Sequence, residues 1–287
     1  MNKTSSGWLN GLIGVVIFAG SLPATRVAVM DFDPIILTCA RALIAGLLGF
    51  AALLLLKQPK PARSDLPALA VTALGVVVGF PLLTAMALQH ITSAHSIVFL
   101  GLLPLCTAIF GVIRAGERPR PAFWLFSLLG ALCVTTYATL GGIPAQLQGD
   151  LLMLAAVVVC GLGYAEGARL SRRLGGWQVI SWALVLSLPV MLAGTALTLP
   201  PSFQQVGMPA WLSLAYVSLF SMWIGFLFWY RGLAQGGIAA VGQLQLLQPF
   251  MGLGLAALLL HETVSTSMLV ATLGAILCVA GAKRFSH

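Results

Sequence analysis

Arg41 is the only charged residue in the run 34–56, whose side chains are otherwise almost all apolar. A run of that length spans a hydrocarbon core about 30 Å thick. A guanidinium at the centre of such a helix is disfavoured by roughly 2.5–3.5 kcal/mol on insertion scales, so it must face protein or water. Two chemistries suit it. One is a planar fork that grips a carboxylate. The other is a structural partner for carbonyls freed where a neighbouring helix breaks. A second polar group lies in the run 237–259, which carries Gln243, Gln245 and Gln248. At 100° per residue, Gln245 and Gln248 stand about 60° apart on one face and Gln243 points elsewhere. That pair suits a wall for a zwitterion, or a tie between helices.

Prolines mark where such a site would lie. Pro23, Pro81, Pro104, Pro189 and Pro249 interrupt apolar runs, and each removes one helical hydrogen bond and frees the carbonyl four residues earlier. For Pro104 and Pro249 those carbonyls belong to Leu100 and Gln245. At membrane depth a freed carbonyl survives only where protein or a wet cavity satisfies it. Phe80, Phe99, Tyr164 and Trp223 fall deep in the runs and suit the walls of a cavity for apolar side chains; plain packing is the alternative for each. Trp8, Trp124, Trp177, Trp211 and Trp229-Tyr230 fall at run ends, as an interfacial belt does.

Other chemistries lack their residues. His261-Glu262 opens like a zinc-protease motif, but position 265 is Ser, so no metal site is expected. Gly252-x-Gly254 has no strand before it, and helix packing explains it. No G-x-x-x-x-G-K-[ST] stretch occurs and no Ser, His and Asp share a depth, so no cofactor and no catalytic residue is expected. Cys39, Cys106, Cys133, Cys160 and Cys278 lie inside runs without a C-x-x-C pair and read as small buried apolar residues. The carboxylates Asp31, Asp33, Asp150 and Glu262 fall at one set of run ends, and Asp65, Glu117 and Glu166 at the other. No carboxylate or histidine is expected at mid-depth.

The elements that must position these groups are membrane spans. The chain is 59% hydrophobic and 8% charged, with a mean hydropathy of +1.00. Ten runs stand out, at 8–30, 34–56, 66–88, 94–113, 121–140, 148–170, 177–198, 209–233, 237–259 and 265–282. Lys3, Lys57, Lys60, Arg63, Arg114, Arg118, Arg120, Arg169, Arg172, Arg173, Arg231, Lys283 and Arg284 then share one side, leaving only Arg26 and Arg41 elsewhere among the 15 basic residues. That asymmetry predicts an inner-membrane protein with both termini in the cytoplasm. It also accounts for the net charge of +8. No loop is long enough to form a nucleic-acid-binding domain, and the expected partners are the bilayer and a small-molecule substrate. The pattern sets no oligomeric state.

The chain repeats itself at an offset of 145. Leu88, Ala94, Leu102, Pro104 and Glu117 meet Leu233, Ala239, Leu247, Pro249 and Glu262, and Leu132-Cys133-Val134 meets Leu277-Cys278-Val279. A proline and a glutamate that keep their separation are the telling matches. Two repeats follow, 1–143 and 144–287, with the boundary in the loop 141–149. Five spans per repeat is an odd number, so the second copy begins from the opposite face and the repeats are inverted. Inverted repeats around a midplane cavity are the architecture of secondary transporters.

At this point the chain resembles a family. Ala87-Leu88-Gln89-His90-Ile91-Thr92-Ser93-Ala94, Leu102-Leu103-Pro104-Leu105 and Gly116-Glu117-Arg118-Pro119, with echoes at Gly232-Leu233-Ala234, Leu247-Gln248-Pro249 and His261-Glu262, resemble the drug/metabolite transporter superfamily, EamA type. Within it the chain looks most like YddG-type exporters of aromatic and other amino acids. The resemblance implies an all-α membrane protein of ten helices around a central cavity, with Arg41 as the family's usual arginine in the second span. It implies export of amino acids or related small metabolites by alternating access. A broad efflux carrier for amphipathic drugs is the first alternative, and a polytopic membrane enzyme the other.

Overall fold

The computed structural model describes residues 3–139, 146–200, 202–252 and 266–286. His261-Glu262, Gly254 and most of the boundary loop lie outside the described residues. Among the described residues every regular element is helical and no strand occurs. The helices are α1 (Lys3–Ala19), α2 (Ser21–Ala28), α3 (Pro34–Leu55), α4 (Leu66–Thr72), α5 (Phe80–His90), α6 (Ser93–Leu100), α7 (Leu103–Ala115), α8 (Pro121–Thr139), α9 (Leu147–Leu174), α10 (Gly176–Thr198), α11 (Met208–Tyr216), α12 (Gly225–Gly236), α13 (Ile238–Gly242) and α14 (Thr266–Arg284). Among the described residues six continuous helical stretches are long and apolar enough to cross a membrane: Thr4–Ala28, Pro34–Leu55, Arg63–His90, Leu147–Leu174, Gly176–Thr198 and Met208–Gly236. Leu103–Ala115 and Pro121–Thr136 are shorter apolar helices.

The prolines act where the sequence places them. The α1–α2 break at Gly20 falls just before Pro23, which cannot donate to the Ala19 carbonyl. Pro81 follows a π-helical segment, Ala73–Gly79, that joins α4 to α5. Pro104 opens α7 after a break at Gly101 and Leu102. Pro249 follows a 3-10 segment, Gln243–Leu247, that continues α13 before helix resumes over 248–252. Pro189 is the exception and sits inside an unbroken α10. A second π-helical segment, Val217–Ile224, joins α11 to α12. Caps are local: Asp33 Oδ1 accepts from the Ile35 and Ile36 amides at 2.8 and 3.3 Å and starts α3. Gly116, at φ +67°, ends α7 in the left-handed conformation that glycine adopts without strain.

Helices approach closely where glycine removes the side chain. A Cβ at Gly232 would stand 2.6 Å from the Gly11 nitrogen, and one at Gly7 2.6 Å from the Gly236 nitrogen, so α1 and α12 touch backbone to backbone. The α5 and α9 stretches meet in the same way, through Gly75 against Gly163. In α3 and α10, Cys39 faces Gly194, Gly46 faces Leu188 and Gly49 faces Ser181, which is antiparallel packing. In α8 and α14, Phe126 faces Gly281, Gly130 faces Cys278 and Cys133 faces Gly274, again antiparallel. Apolar residues also cover the outside: Leu47, Leu54 and Leu55 of α3, and the stripe Val270, Leu273 and Leu277 of α14, are well exposed. Large apolar side chains inside and out fit a bundle whose solvent is lipid.

Ion pairs tie the two halves at the arginine-rich end. Arg114 Nε and Nη2 donate to Glu166 at 3.0 and 3.1 Å, and Arg169 Nη2 donates to the same carboxylate at 2.6 Å. Arg173 pairs with buried Asp65. Glu117 accepts from the Ile238 and Ala239 amides at 2.8 and 2.7 Å and from Arg172 at 2.6 Å. It therefore holds the first N–H groups of α13, which have no partner within their own helix.

Candidate functional site

The two π-helical segments flank the inner wall of α3, and Arg41 projects from α3 between them. Its Nη2 donates to the Val217 carbonyl at 3.3 Å and the Ser221 hydroxyl at 3.2 Å, both on the second π segment. Its Nε is buried and makes no hydrogen bond. Arg41 is 94% buried, given a relative exposure of 6%, with no acidic side chain paired to it among the described residues. π-Helical turns recur at functional sites because they displace side chains from regular helical spacing.

Arg41 lines a narrow cavity of about 30 Å³ inside the bundle, room for a water molecule or two. Phe80, Pro81, Tyr164 and Gln248 line it too. Gln248 Nε2 donates to the Phe18 carbonyl at 3.2 Å. Phe99, Trp223, Gln245, Pro23, Pro104 and Pro249 are not part of its lining. The Phe99 ring stacks on His95. Trp223 Nε1 donates to Ser181 at 3.0 Å, which turns the indole toward α10. Gln245 is buried beside the Tyr164 hydroxyl without a well-aligned hydrogen bond, and both its amide atoms lack a partner. Gln243 is fully buried and equally unpartnered.

Sequence reasoning missed Phe18, Thr84, Ser221 and Phe226, which also line the cavity. A signal for two of them was present. Shifting Val76, Pro81 and Leu103 by the repeat offset gives Ser221, Phe226 and Gln248, and all six positions face the cavity. Also missed was His95, buried in α6, whose Nε2 stands 2.9 Å from Asp150 Oδ1. The contact is close enough for an ion pair but off the line of a directed hydrogen bond.

A wider vestibule of about 690 Å³ opens at the arginine-rich end, lined by Asn10, Arg172, Trp177, Gln178 and Arg231 among others. Along α12, Phe226 lines the cavity and Arg231 the vestibule, five residues or about 7.5 Å apart. Trp229 and Tyr230 fill that gap, both fully buried. Phe226 packs on Phe18, Tyr164 and Tyr230 with ring centroids 5.1, 5.9 and 5.2 Å apart. Aromatic packing therefore separates the cavity from the vestibule. No group of three or more metal-ligating side chains occurs among the described residues.

The sequence model of the EamA-like transporter family matches residues 5–138 and again residues 147–282. The chain belongs to the EamA-like transporter family. It is 65% identical over 286 residues to the uncharacterized transporter YdeK of Bacillus subtilis strain 168, covering 100% of both chains. It is 25% identical over 276 residues to a probable terminal-alkyne amino-acid exporter of Streptantibioticus cattleyicolor, covering 94% of this chain and 90% of that one. A solved crystal structure superposes with a TM-score of 0.78 at 22% identity, covering 97% of this chain and 96% of the other. That likeness extends the shared fold over nearly the whole length. This EamA-family chain is thus a multi-pass membrane protein and a transporter.

Proposed function

We propose that this transporter is a secondary carrier that exports amino acids and related small apolar metabolites by alternating access. The observation that carries the reading is the narrow cavity around Arg41, lined from both halves at positions related by one offset. In this reading ten spans form two inverted repeats, 1–143 and 144–287, with both termini cytoplasmic. The two family matches, at 5–138 and 147–282, support the repeats. So does the antiparallel packing of α3 on α10 and of α8 on α14, since repeat-equivalent helices of inverted copies run in opposite directions.

Arg41, Gln248 and Thr84 offer fixed polar groups, and Phe80, Tyr164 and Phe226 offer apolar walls. Fixed polar groups suit a small polar-headed metabolite better than an amphipathic drug, which needs a broad greasy surface. The cavity in this state is too small for an amino acid, so binding requires the walls to separate. The π segments, which carry Val76, Ser221 and Met222 in the lining, are the elements placed to do so. The probable terminal-alkyne amino-acid exporter is a relative whose named cargo fits this chemistry. Counterflow in proteoliposomes against a panel of amino acids is the test. Saturable exchange of small apolar amino acids is expected. Exchange of cationic amphipaths with none of amino acids would replace this reading with broad drug efflux.

A further inference from the structure

The cavity holds a cation with no counter-ion among the described residues. Six of the seven carboxylates lie in described residues, and each is engaged away from Arg41. Asp33 caps α3, Asp31 accepts from the Gly207 amide, and Asp150 faces His95. Asp65, Glu117 and Glu166 hold arginines at the far end. Among the described residues no acidic side chain lines the cavity. Of the Arg41 nitrogens only Nη2 is bonded, to neutral oxygens, and Nε is buried with nothing to donate to. The remaining polar lining is neutral. Thr84 Oγ1 is buried and unpartnered, and the Gln248 amide donates from Nε2 to the Phe18 carbonyl.

We infer that the cavity selects its cargo by the carboxylate and does not require the α-amino group, so that 2-oxo and 2-hydroxy acids with an apolar side chain bind as well as the matching amino acid. This rests on the carrier reading above and names its substrate class more narrowly. A carboxylate neutralises the buried guanidinium and accepts from its free N–H groups in a charge-assisted pair. Without one, the charge stays buried and unpaired, the costly condition for an ion inside a protein. An ammonium meets only neutral oxygens there, and it enters a site that already holds a positive charge. One half of a zwitterion is thus held by a charge and the other only tolerated. Arg41 therefore has two roles: Nη2 braces the π segment, and the N–H groups left unbonded receive the cargo.

The test uses the purified full-length protein and isosteric probes: leucine, 4-methyl-2-oxopentanoate, 2-hydroxy-4-methylpentanoate and leucinamide. Ligand-dependent thermal stabilisation in detergent gives binding, and uptake into proteoliposomes gives flux. The three carboxylates should bind within about threefold of one another, and leucinamide should be weaker than leucine by at least about tenfold. Leucinamide matching leucine, loss of binding when the amino group is replaced, or no stabilisation by any carboxylate would each overturn the inference. Binding in the expected order without flux upholds it and removes the carrier reading; flux in the opposite order does the reverse. Arg41→Gln should abolish the preference for carboxylates over leucinamide, and the wild-type probe series decides the matter whether or not that variant folds.

Discussion

Glu117→Ala is the most informative single perturbation of the scaffold. The carboxylate holds two backbone N–H groups, those of Ile238 and Ala239, at 2.8 and 2.7 Å. Both residues are buried, at 0% and 1% exposure, so water cannot replace the lost acceptor. A hydrogen bond to a charged group contributes about 1.5–3 kcal/mol, and N-cap deletions measure about 0.5–2 kcal/mol. Two buried bonds on one cap therefore place the loss at about 3–4 kcal/mol. The third partner, Arg172, has a side chain 39% exposed; it returns to water when released and contributes at most about 1 kcal/mol. At about 2–4 °C per kcal/mol for a chain of this size, Glu117→Ala should melt about 6–16 °C below the parent. Glu117→Gln keeps one acceptor and should fall between, while Arg172→Ala should move the midpoint by no more than about 4 °C. Melting of the four proteins in one detergent gives the comparison. If Glu117→Ala and Arg172→Ala melt together, capping of α13 is not what Glu117 does and the argument fails.

Four further outcomes follow from the same geometry. Gly232→Ala should destabilise by about 1–3 kcal/mol, because the new Cβ meets the Gly11 backbone 2.6 Å away and α1 must part from α12; unchanged melting would mean that the seam yields freely. Gln243→Leu should melt at or above the parent, since it removes a buried amide with neither atom bonded, whereas Gln248→Leu should cut transport; equal transport loss in both would remove Gln248 from the cavity argument. Cysteines placed at exposed Gln146 and Gln204 should react with an impermeant thiol reagent added to intact cells and one at Arg63 should not; labelling at Arg63 would reverse the orientation. Net flux in proteoliposomes should follow the substrate gradient with little response to an imposed pH difference, because no carboxylate or histidine among the described residues lines the cavity; accumulation abolished by a protonophore would point to His95 and Asp150, which stand 2.9 Å apart in the first turns of α6 and α9.

Much of the architecture was legible because it depends on coarse physics. Apolar runs, proline positions and one-sided arginines are local or additive signals, and the breaks before Pro23, Pro104 and Pro249 fall where a missing N–H puts them. Arg41 was legible for the same reason, as a charge that apolar surroundings must explain. Side-chain direction was less so. Trp223 was expected on the cavity wall from its depth in the run, but it lies within a π segment, where each turn takes an extra residue and faces rotate. Ser221 and Phe226 were reachable only by carrying the first half's pattern onto the second. His95 and Asp150 are 55 residues apart on different helices, and no periodicity links them.

The paired π segments, Ala73–Gly79 and Val217–Ile224, also bear on descent. A π turn is what a helix forms when one residue is inserted and the flanking faces must keep their contacts, since each added residue otherwise rotates everything beyond it by about 100°. Both segments sit at the same place relative to the repeat offset. On the proposed reading, a single insertion in an ancestral five-span unit, copied when that unit was duplicated, accounts for both. The cavity's irregular wall would then be older than the two-repeat protein, inherited from a dimer of short chains inserted in opposite orientations.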